Sequence, residues 1–349
     1  MRDAAFDTLF PVLQNPAGRT LWIADENALA AVQSVAPRPD LYLLSNRVDV
    51  CHAATRAGHQ AQFCDFDFSV YGDGFFDRVV FRLAKEKPVN HRVFNQAFRV
   101  LATGGQLHIA GLKNEGIKTF IDKTGHLFGN RQSGKYGVGY RGDFYKTSVQ
   151  ACTEFFDDHD YARLRLIETA TFHFYSKPGL FGWDKVDQGS AFLAAHLPDF
   201  LACFPSPPVS MLDLGCGYGY LTLVTRDLPL TRRVATDNNA AALMAMQHNA
   251  RHAGMAVDVV AADAGESLHE TFDMILCNPP FHQGFSVDSD LTEKFLRNTR
   301  RLLSEKGAAL MVVNAFIAIE RIASQYFAHV QTLANNGSFK LVLLRPTVR

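Results

Sequence analysis

In the second half of the chain, short runs of aliphatic and β-branched residues alternate with longer stretches whose apolar positions recur at helical spacing. That alternation is the signature of a parallel sheet whose strands are joined by crossover helices. It predicts strands over 209–214, 233–236, 258–262, 273–277 and 308–313, with the clearest helices over 239–252 and 291–306. Gly254 stops the first helix. The second opens on Asp290, has Glu293 three residues on and ends at Gly307, so capping and stop signals agree with the periodicity. After the fifth strand the order changes: a helical stretch over 319–327 is followed by extended runs over 330–334 and 339–344, separated by Asn335-Asn336-Gly337. Asn-Gly between two apolar runs favours the left-handed dihedrals of a tight reversal, so the sheet should end in an antiparallel hairpin.

The first half repeats this order more faintly, with extended runs over 20–24, 41–44, 61–65, 76–81 and 106–110. Placing Phe76-Asp77 over Phe272-Asp273, an offset of 196 residues, brings the runs into rough register and indicates an internal duplication. The polar features at the strand ends are not duplicated. Where the second half has Asp213 to Gly219 the first has Ala24-Asp25-Glu26-Asn27, and where the second has Asn278 to Phe281 the first has Arg82 to Lys85. Pro, Gly and polar residues concentrate over 176–190 (SKPGLFGWDKVDQGS), ahead of an apolar helix over 191–196, which divides the chain into domains 1–175 and 176–349. A length of 349 residues fits two domains at about 150 each.

Composition changes this picture little. Lys plus Arg equals Asp plus Glu at 35 each, so the chain as a whole offers no polycation to a nucleic acid, and any such contact must come from a local patch. Six scattered cysteines without a Cys-x-x-Cys pair fit buried thiols in a reducing compartment and argue against a zinc cluster. The first residues carry acids, and nowhere do 18 uncharged apolar residues run together, so the expectation is a cytoplasmic protein without signal peptide or membrane span, monomeric and without a metal.

The chemistry concentrates at the predicted strand ends. DLGCGYG (213–219) lies where the first strand of the second domain turns into a helix, the crevice in which open α/β sheets bind ligands. Gly215, Gly217 and Gly219 let the backbone approach a ligand closely. A dinucleotide fingerprint requires G-x-G-x-x-G, yet position 220 is Tyr and the acid Asp213 precedes the first glycine by two. A carboxylate there would repel a pyrophosphate and attract a sulfonium amino acid bearing an ammonium group, which favours S-adenosyl-L-methionine over NAD. Asp237, ending the second strand, can accept from both ribose hydroxyls. Asp263, ending the third, could take the adenine amine, and Cys216, Asn238, Ala264 and Asn278 complete the candidate cofactor set. After the fourth strand come Asn278, Pro279, Pro280 and Phe281. Two prolines fix two φ angles and build a rigid corner. There the Asn278 side-chain oxygen and the Pro279 carbonyl can accept from one amino group while Phe281 offers a stacking face to a planar base. An amine conjugated to a purine or an amide is a poor nucleophile, and two acceptors on its hydrogens localise the lone pair that attacks a methyl carbon.

These motifs, with NPPFH (278–282) and PGLFGWDKVDQGS ahead of them, resemble the bacterial small-subunit ribosomal RNA guanine-N2 methyltransferases, the RsmC type, together with related large-subunit enzymes. The resemblance is most specific over 178–316 and looser over the whole chain. It implies an α/β protein of two tandem Rossmann-like class I methyltransferase domains, the first degenerate and the second catalytic and closed by the antiparallel hairpin. It also implies transfer from S-adenosyl-L-methionine to a guanine amine of 16S rRNA, with Asn278 to Phe281 holding the flipped base. Phe181, Lys185, Asp187 and His282 are candidates for contacts over the ligand. The first domain would bind RNA or the small ribosomal subunit and support folding. From Lys113 to Lys146 seven Lys or Arg face three acids, with aromatics interleaved, so Lys113, Lys118, Arg131, Lys135 and Arg141 are candidate RNA contacts. The Asn-Pro-Pro-aromatic turn serves equally for 23S rRNA guanine, DNA adenine or a protein glutamine. A non-catalytic RNA-binding assembly factor is the alternative from another class.

Overall fold

The computed structural model describes residues 3–15, 17–147, 155–169, 172–280 and 289–346. The chain forms two compact units, Met1–Arg163 and Leu164–Arg349. In the first, strands β1 (Thr20–Ala24), β2 (Leu41–Ser45), β3 (Gln60–Phe63), β4 (Phe76–Arg82), β5 (Leu101–Leu112), β6 (Gln132–Tyr136) and β7 (Gly139–Tyr145) form one sheet in the order β3-β2-β1-β4-β5-β7-β6. A small antiparallel pair follows, β8 (Arg165–Glu168) and β9 (His173–Ser176). The second unit holds β10 (Ser210–Leu214), β11 (Arg232–Asp237), β12 (Asp258–Ala261), β13 (Phe272–Cys277), β14 (Leu303–Asn314), β15 (His329–Asn335) and β16 (Phe339–Arg345), in the order β12-β11-β10-β13-β14-β16-β15. The two orders are identical. In each sheet five parallel strands meet an antiparallel hairpin at one edge.

The sheets are buried on both faces, which is why their strands read as near-continuous apolar runs. On β10, Leu212 and Leu214 pack with Phe272, Ile275 and Leu296 on one face, while Met211 packs with Leu193, Phe200 and Leu221 on the other. Asp213 shares the Met211 face by strand alternation. The Phe-Asp pair at the start of the fourth strand repeats its role. Phe76 and Phe272 are fully buried, Asp77 accepts from the Arg19 N–H, and Asp273 accepts from the N–H groups of Val209 and Ser210, so each acid ties the fourth strand to the entry of the first.

Three expectations need correction. The helix expected over 291–306 is Ser289–Leu302, because the chain is already in β14 at Leu303, which pairs with Phe272. Gly307 is no helix cap: a Cβ there would lie 2.7 Å from the Asp273 carbonyl, so the glycine permits a close strand crossing, as Gly105 does beside Ala102 in the first unit. The boundary expected at 175/176 falls at 163/164. β9 is held by the second unit: Phe174 stacks on Tyr218 with centroids 4.0 Å apart, and Asn249 both donates to the Tyr175 carbonyl and accepts from its N–H. Proline and glycine marked the turn ahead of the next helix, and the division comes earlier. The expectation of uniformly buried thiols also fails, since Cys64 and Cys203 are half-exposed while Cys51, Cys216 and Cys277 are buried.

Candidate active site

The register of β10 decides what meets at its carboxyl end. Leu214 pairs with Thr236 of β11 on one side and with Cys277 of β13 on the other. The glycine turn therefore leaves the sheet between Asp237 and Asn278, at adjacent strand ends about 5 Å apart per strand. Gly215, Gly217 and Gly219 have φ of +80°, +54° and +95°, values that only glycine adopts without strain. Gly219 also lies under Met246, whose sulfur would stand 2.1 Å from a Cβ, while at Gly217 the space is open. The Gly215 and Cys216 N–H groups both donate to the Thr236 carbonyl, and the Gly217 N–H donates to Asp237 Oδ2 at 3.0 Å. Asp237 Oδ1 accepts from the Asn239 N–H at 2.9 Å. Carboxylate oxygens hold two lone pairs each, so a carboxylate at this strand end can accept from more than one donor at a time. Cys216 is buried, and burial first, with the Asp237 and Asp213 charges behind it, pushes its thiol well above the ordinary range, which disfavours the thiolate.

Asp213 is fully buried. Its Oδ2 accepts from the Thr222 N–H at 3.0 Å and from the Thr222 hydroxyl at 2.7 Å, tying the strand to the helix Tyr220–Val224, while Oδ1 has no partner among the described residues. Burial pushes the carboxyl up to about 7 against those hydrogen bonds, and Asp237 adds to the rise. A buried acceptor without a donor costs about 1–3 kcal/mol, and a cationic or N–H-bearing ligand would relieve it. The open space at Gly217 and this unpartnered oxygen fit a positively charged cofactor such as S-adenosylmethionine. At the end of β12, Asp263 is paired with Lys294, so its carboxylate is already engaged by a cation. Ala264 is left-handed at φ +49° and buried, which turns the chain sharply there, and Asn238 is half-buried after Asp237.

Asn278 follows β13. Its amide Nδ2 donates to Asp187 Oδ2 and to Ser190 Oγ, both at 2.8 Å. Asp187 caps the helix Gln188–Ala195 by accepting from the Ser190 N–H at 2.8 Å. Pro279 is buried and Pro280 exposed. The segment ahead of the cap lies against the same end of the sheet, for the Tyr218 hydroxyl donates to the Lys185 carbonyl at 3.4 Å and Leu180 packs with Tyr218. Phe181 is 74% exposed. Phe281 and His282 lie outside the described residues. Two groups here were not foreseen from the sequence: Thr222 and Lys294. Ser190 ends the 185–190 stretch expected to lie over the ligand, and Asp187-x-x-Ser190 has the spacing of a helix cap; Thr222 and Lys294 are joined to their acids only by folding.

Residues 171–343 match the family model of the methyltransferase small domain. The second unit belongs to that family. A curated relative from Actinobacillus succinogenes, named ribosomal RNA small subunit methyltransferase C, is 27% identical over 289 residues, covering 82% of this chain and 83% of its own length. A protein of the same name from Pseudomonas paraeruginosa is 32% identical over 171 residues, 49% of this chain and 50% of its own. A solved structure described as the T. thermophilus 16S rRNA N2 G1207 methyltransferase (RsmC), in complex with AdoMet and guanosine, superposes with a TM-score of 0.80 over 99% of this chain and 92% of that one, at 23% identity. The two-unit architecture is thus a known fold, with the methyltransferase small domain as its second half.

The basic stretch of the first unit divides in two. Arg141 donates to Asp143 and to the Thr8 carbonyl, Arg131 pairs with Asp122, and Lys146 is buried with Nζ on the Leu101 carbonyl. Phe128 and Phe144 are core residues and offer no face to a base. Lys113, Lys118 and Lys135 are exposed, Lys118 over the Tyr140 ring and Lys135 beside the half-exposed Tyr136. Among the described residues no cluster of His, Cys, Asp and Glu could hold a metal ion, and no helix is long and apolar enough to cross a membrane.

Proposed function

We propose that this chain transfers the methyl group of S-adenosylmethionine to the exocyclic N2 amine of a guanine in small-subunit ribosomal RNA, and works in the cytoplasm where that RNA is. The observation that carries the reading is the Asn278 amide, whose nitrogen is held by Asp187 and Ser190 at the strand end beside the glycine turn. Its oxygen is left as the acceptor. The names of the relatives above point to the same substrate.

The cofactor supplies an activated methyl carbon on a sulfonium. Asp213 Oδ1 and the glycine turn would hold its cationic end, and Asp237 its ribose hydroxyls. Asn278 Oδ1 and the Pro279 carbonyl accept from the two hydrogens of the guanine amine, so the nitrogen lone pair turns toward the methyl carbon. As the new nitrogen–carbon bond forms and the sulfur–carbon bond breaks, positive charge grows on nitrogen and the same two oxygens stabilise it; the proton then leaves to water. Such placed acceptors contribute about 3–4 kcal/mol apiece to comparable transition states. Phe281 is the stacking face in this reading. The first unit presents Lys113, Lys118 and Lys135 to phosphates.

The test is transfer of labelled methyl to naked 16S rRNA, assembled small subunits, 23S rRNA, DNA and total protein. Label in a guanine of 16S rRNA or small subunits, lost with Asn278→Ala, is the expected result. Label in DNA or protein instead, or none from the wild type, overturns it.

A further inference from the structure

The contacts around Asn278 decide more than its location. A carboxamide is nearly symmetric in shape, and its two ends do opposite things: the oxygen accepts and the NH2 donates. At a site that must accept from an amine, the amide turned the wrong way round sets donor against donor. We infer that Asp187, with Ser190, is the positioning residue that fixes which way round the Asn278 amide sits, so that its oxygen meets the methyl-accepting amine.

Three observations carry this. An ionised carboxylate only accepts, so only the NH2 end of Asn278 can face Asp187 Oδ2 at 2.8 Å; the reversed amide would place two acceptors against each other. Ser190 Oγ, also at 2.8 Å, takes the second hydrogen, so both N–H bonds are used and Oδ1 has no donor among the described residues. Asp187 is itself immobilised, because the same Oδ2 accepts from the Ser190 N–H at the start of a helix, and Gly189 leaves room for it: a Cβ there would crowd Oδ2 at 3.1 Å and the Phe339 ring at 3.3 Å. The carboxylate also polarises the amide, which increases the negative charge on Oδ1.

The first unit shows the arrangement with the amide removed. Asp3 accepts from the Phe6 N–H with its Oδ1 and holds Arg82, the residue at the position of Asn278, with both oxygens. An aspartate that accepts from the N–H three residues on and grips the strand end is therefore common to both units. Control of an acceptor's orientation arises only where the gripped residue is an amide.

The inference rests on the proposed methyl transfer for its kinetic arm, and a second arm needs no substrate. Serine caps a helix as well as aspartate but is too short to reach Asn278 as well, whereas asparagine keeps both the cap and an acceptor oxygen. Asp187→Ser should lower kcat about 30-fold or more, with KM for RNA, affinity for S-adenosylmethionine by calorimetry and melting temperature close to wild type. Asp187→Asn should recover most of the rate. Ser190→Ala, which leaves the backbone cap intact, should show a smaller loss in kcat alone. In 15N-labelled protein the Asn278 side-chain NH2 protons, identified by their disappearance in Asn278→Ala, should be distinct and protected in wild type and should shift and lose protection in Asp187→Ser. A wild type that methylates nothing sinks the functional reading and leaves the NMR arm to decide this one. Unchanged amide signals in Asp187→Ser, an active wild type with an equally active Asp187→Ser, or a loss confined to melting temperature and not restored by Asp187→Asn overturns the inference.

Discussion

The two units share one strand order, yet among the described residues the strand-end acids and amide of the candidate active site lie in the second alone. Aligning β4 with β13 on their buried Phe-Asp pairs fixes the counterparts, since Trp22 pairs with Val80 as Asp213 pairs with Leu276. Trp22 therefore stands where Asp213 stands, two residues earlier than matching the turns by eye suggests. Buried and packed 5.5 Å from Phe6, it fills the space that in the second unit holds an unpartnered carboxylate oxygen. Ser45 takes the place of Asp237 and keeps its local turn, accepting from the Arg47 N–H at 3.1 Å as Asp237 accepts from Asn239, but brings no charge. Arg82 replaces Asn278 and is locked between Asp3 and Glu115 at 3.0 and 2.7 Å. The sheet and the close glycine crossing survive such exchanges because they depend on burial and backbone geometry. The site does not, because it depends on three side chains, Asp213, Asp237 and Asn278, that the sheet tolerates but does not require.

The sharpest way to break this contrast is to delete the equivalent strand-end residues in turn. Asn278→Ala should abolish transfer, by about a thousandfold, and leave melting unchanged. Arg82→Ala should do the reverse: removing a buried guanidinium from two carboxylates costs about 3 kcal/mol, which lowers the melting temperature, while kcat at a temperature where the protein stays folded is retained. Loss of transfer in folded Arg82→Ala would mean that the first unit also has a part in the chemistry.

A smaller effect follows from the acid that each unit buries near the end of its first strand. Asp25 and Asp213 are both pushed up to about 7, chiefly by burial, from an ordinary 3.8. Glu26 pushes Asp25 further while Arg82 and Asn27 pull it back. Since each folded value exceeds the unfolded one, the stability these groups contribute is full below about pH 4 and is lost as pH rises through 7. Asp25→Asn and Asp213→Asn should each raise the melting temperature at pH 8 and change it little at pH 4. Only the second unit should show a functional cost. Affinity for S-adenosylmethionine in wild type and Asp25→Asn should rise with pH through about 7 as Asp213 ionises, and in Asp213→Asn it should be about tenfold weaker and flat. Calorimetry from pH 5.5 to 8.5 checks this, and parallel profiles for all three proteins would remove Asp213 from the cofactor site.

How much of this was legible depended on whether a feature is local. The succession of strands along the chain, the Asn335-Asn336-Gly337 hairpin and the strand-end positions of Asp213, Asp237 and Asn278 follow from apolar runs and turn chemistry within a few residues, whereas the order of those strands across the sheet comes only from the fold. Gly307 misled because a glycine after a helical stretch reads as a stop, and nothing in the sequence reveals the carbonyl of Asp273 pressing on it. Thr222 and Lys294 were missed because each reaches its acid across a strand or helix packing that only the folded chain creates. The basic stretch was over-read for the same reason. Composition cannot tell an arginine that projects into water from one, like Arg141, that folds back onto Asp143 and Thr8.

That division of the basic residues gives the smallest expected effect and the finest probe of the difference between the units. The edge strand β6 carries the exposed Lys135 next to Tyr136, whereas its counterpart β15 (His329–Asn335) carries neither Lys nor Arg. If the first unit meets phosphates along that edge, Lys135→Glu should weaken rRNA binding severalfold and lower the slope of log Kd against log salt by about 1. Gln331→Glu, an exposed change of the same sign on β15, should leave both unchanged. Arg141→Ala should cost stability and leave the slope alone, because its guanidinium is already spent on the Thr8 carbonyl and Asp143. Fluorescence anisotropy with a 16S fragment across a salt series separates these outcomes. Equal losses from Lys135→Glu and Gln331→Glu would place the RNA across both edges and end the assignment of binding to the first unit.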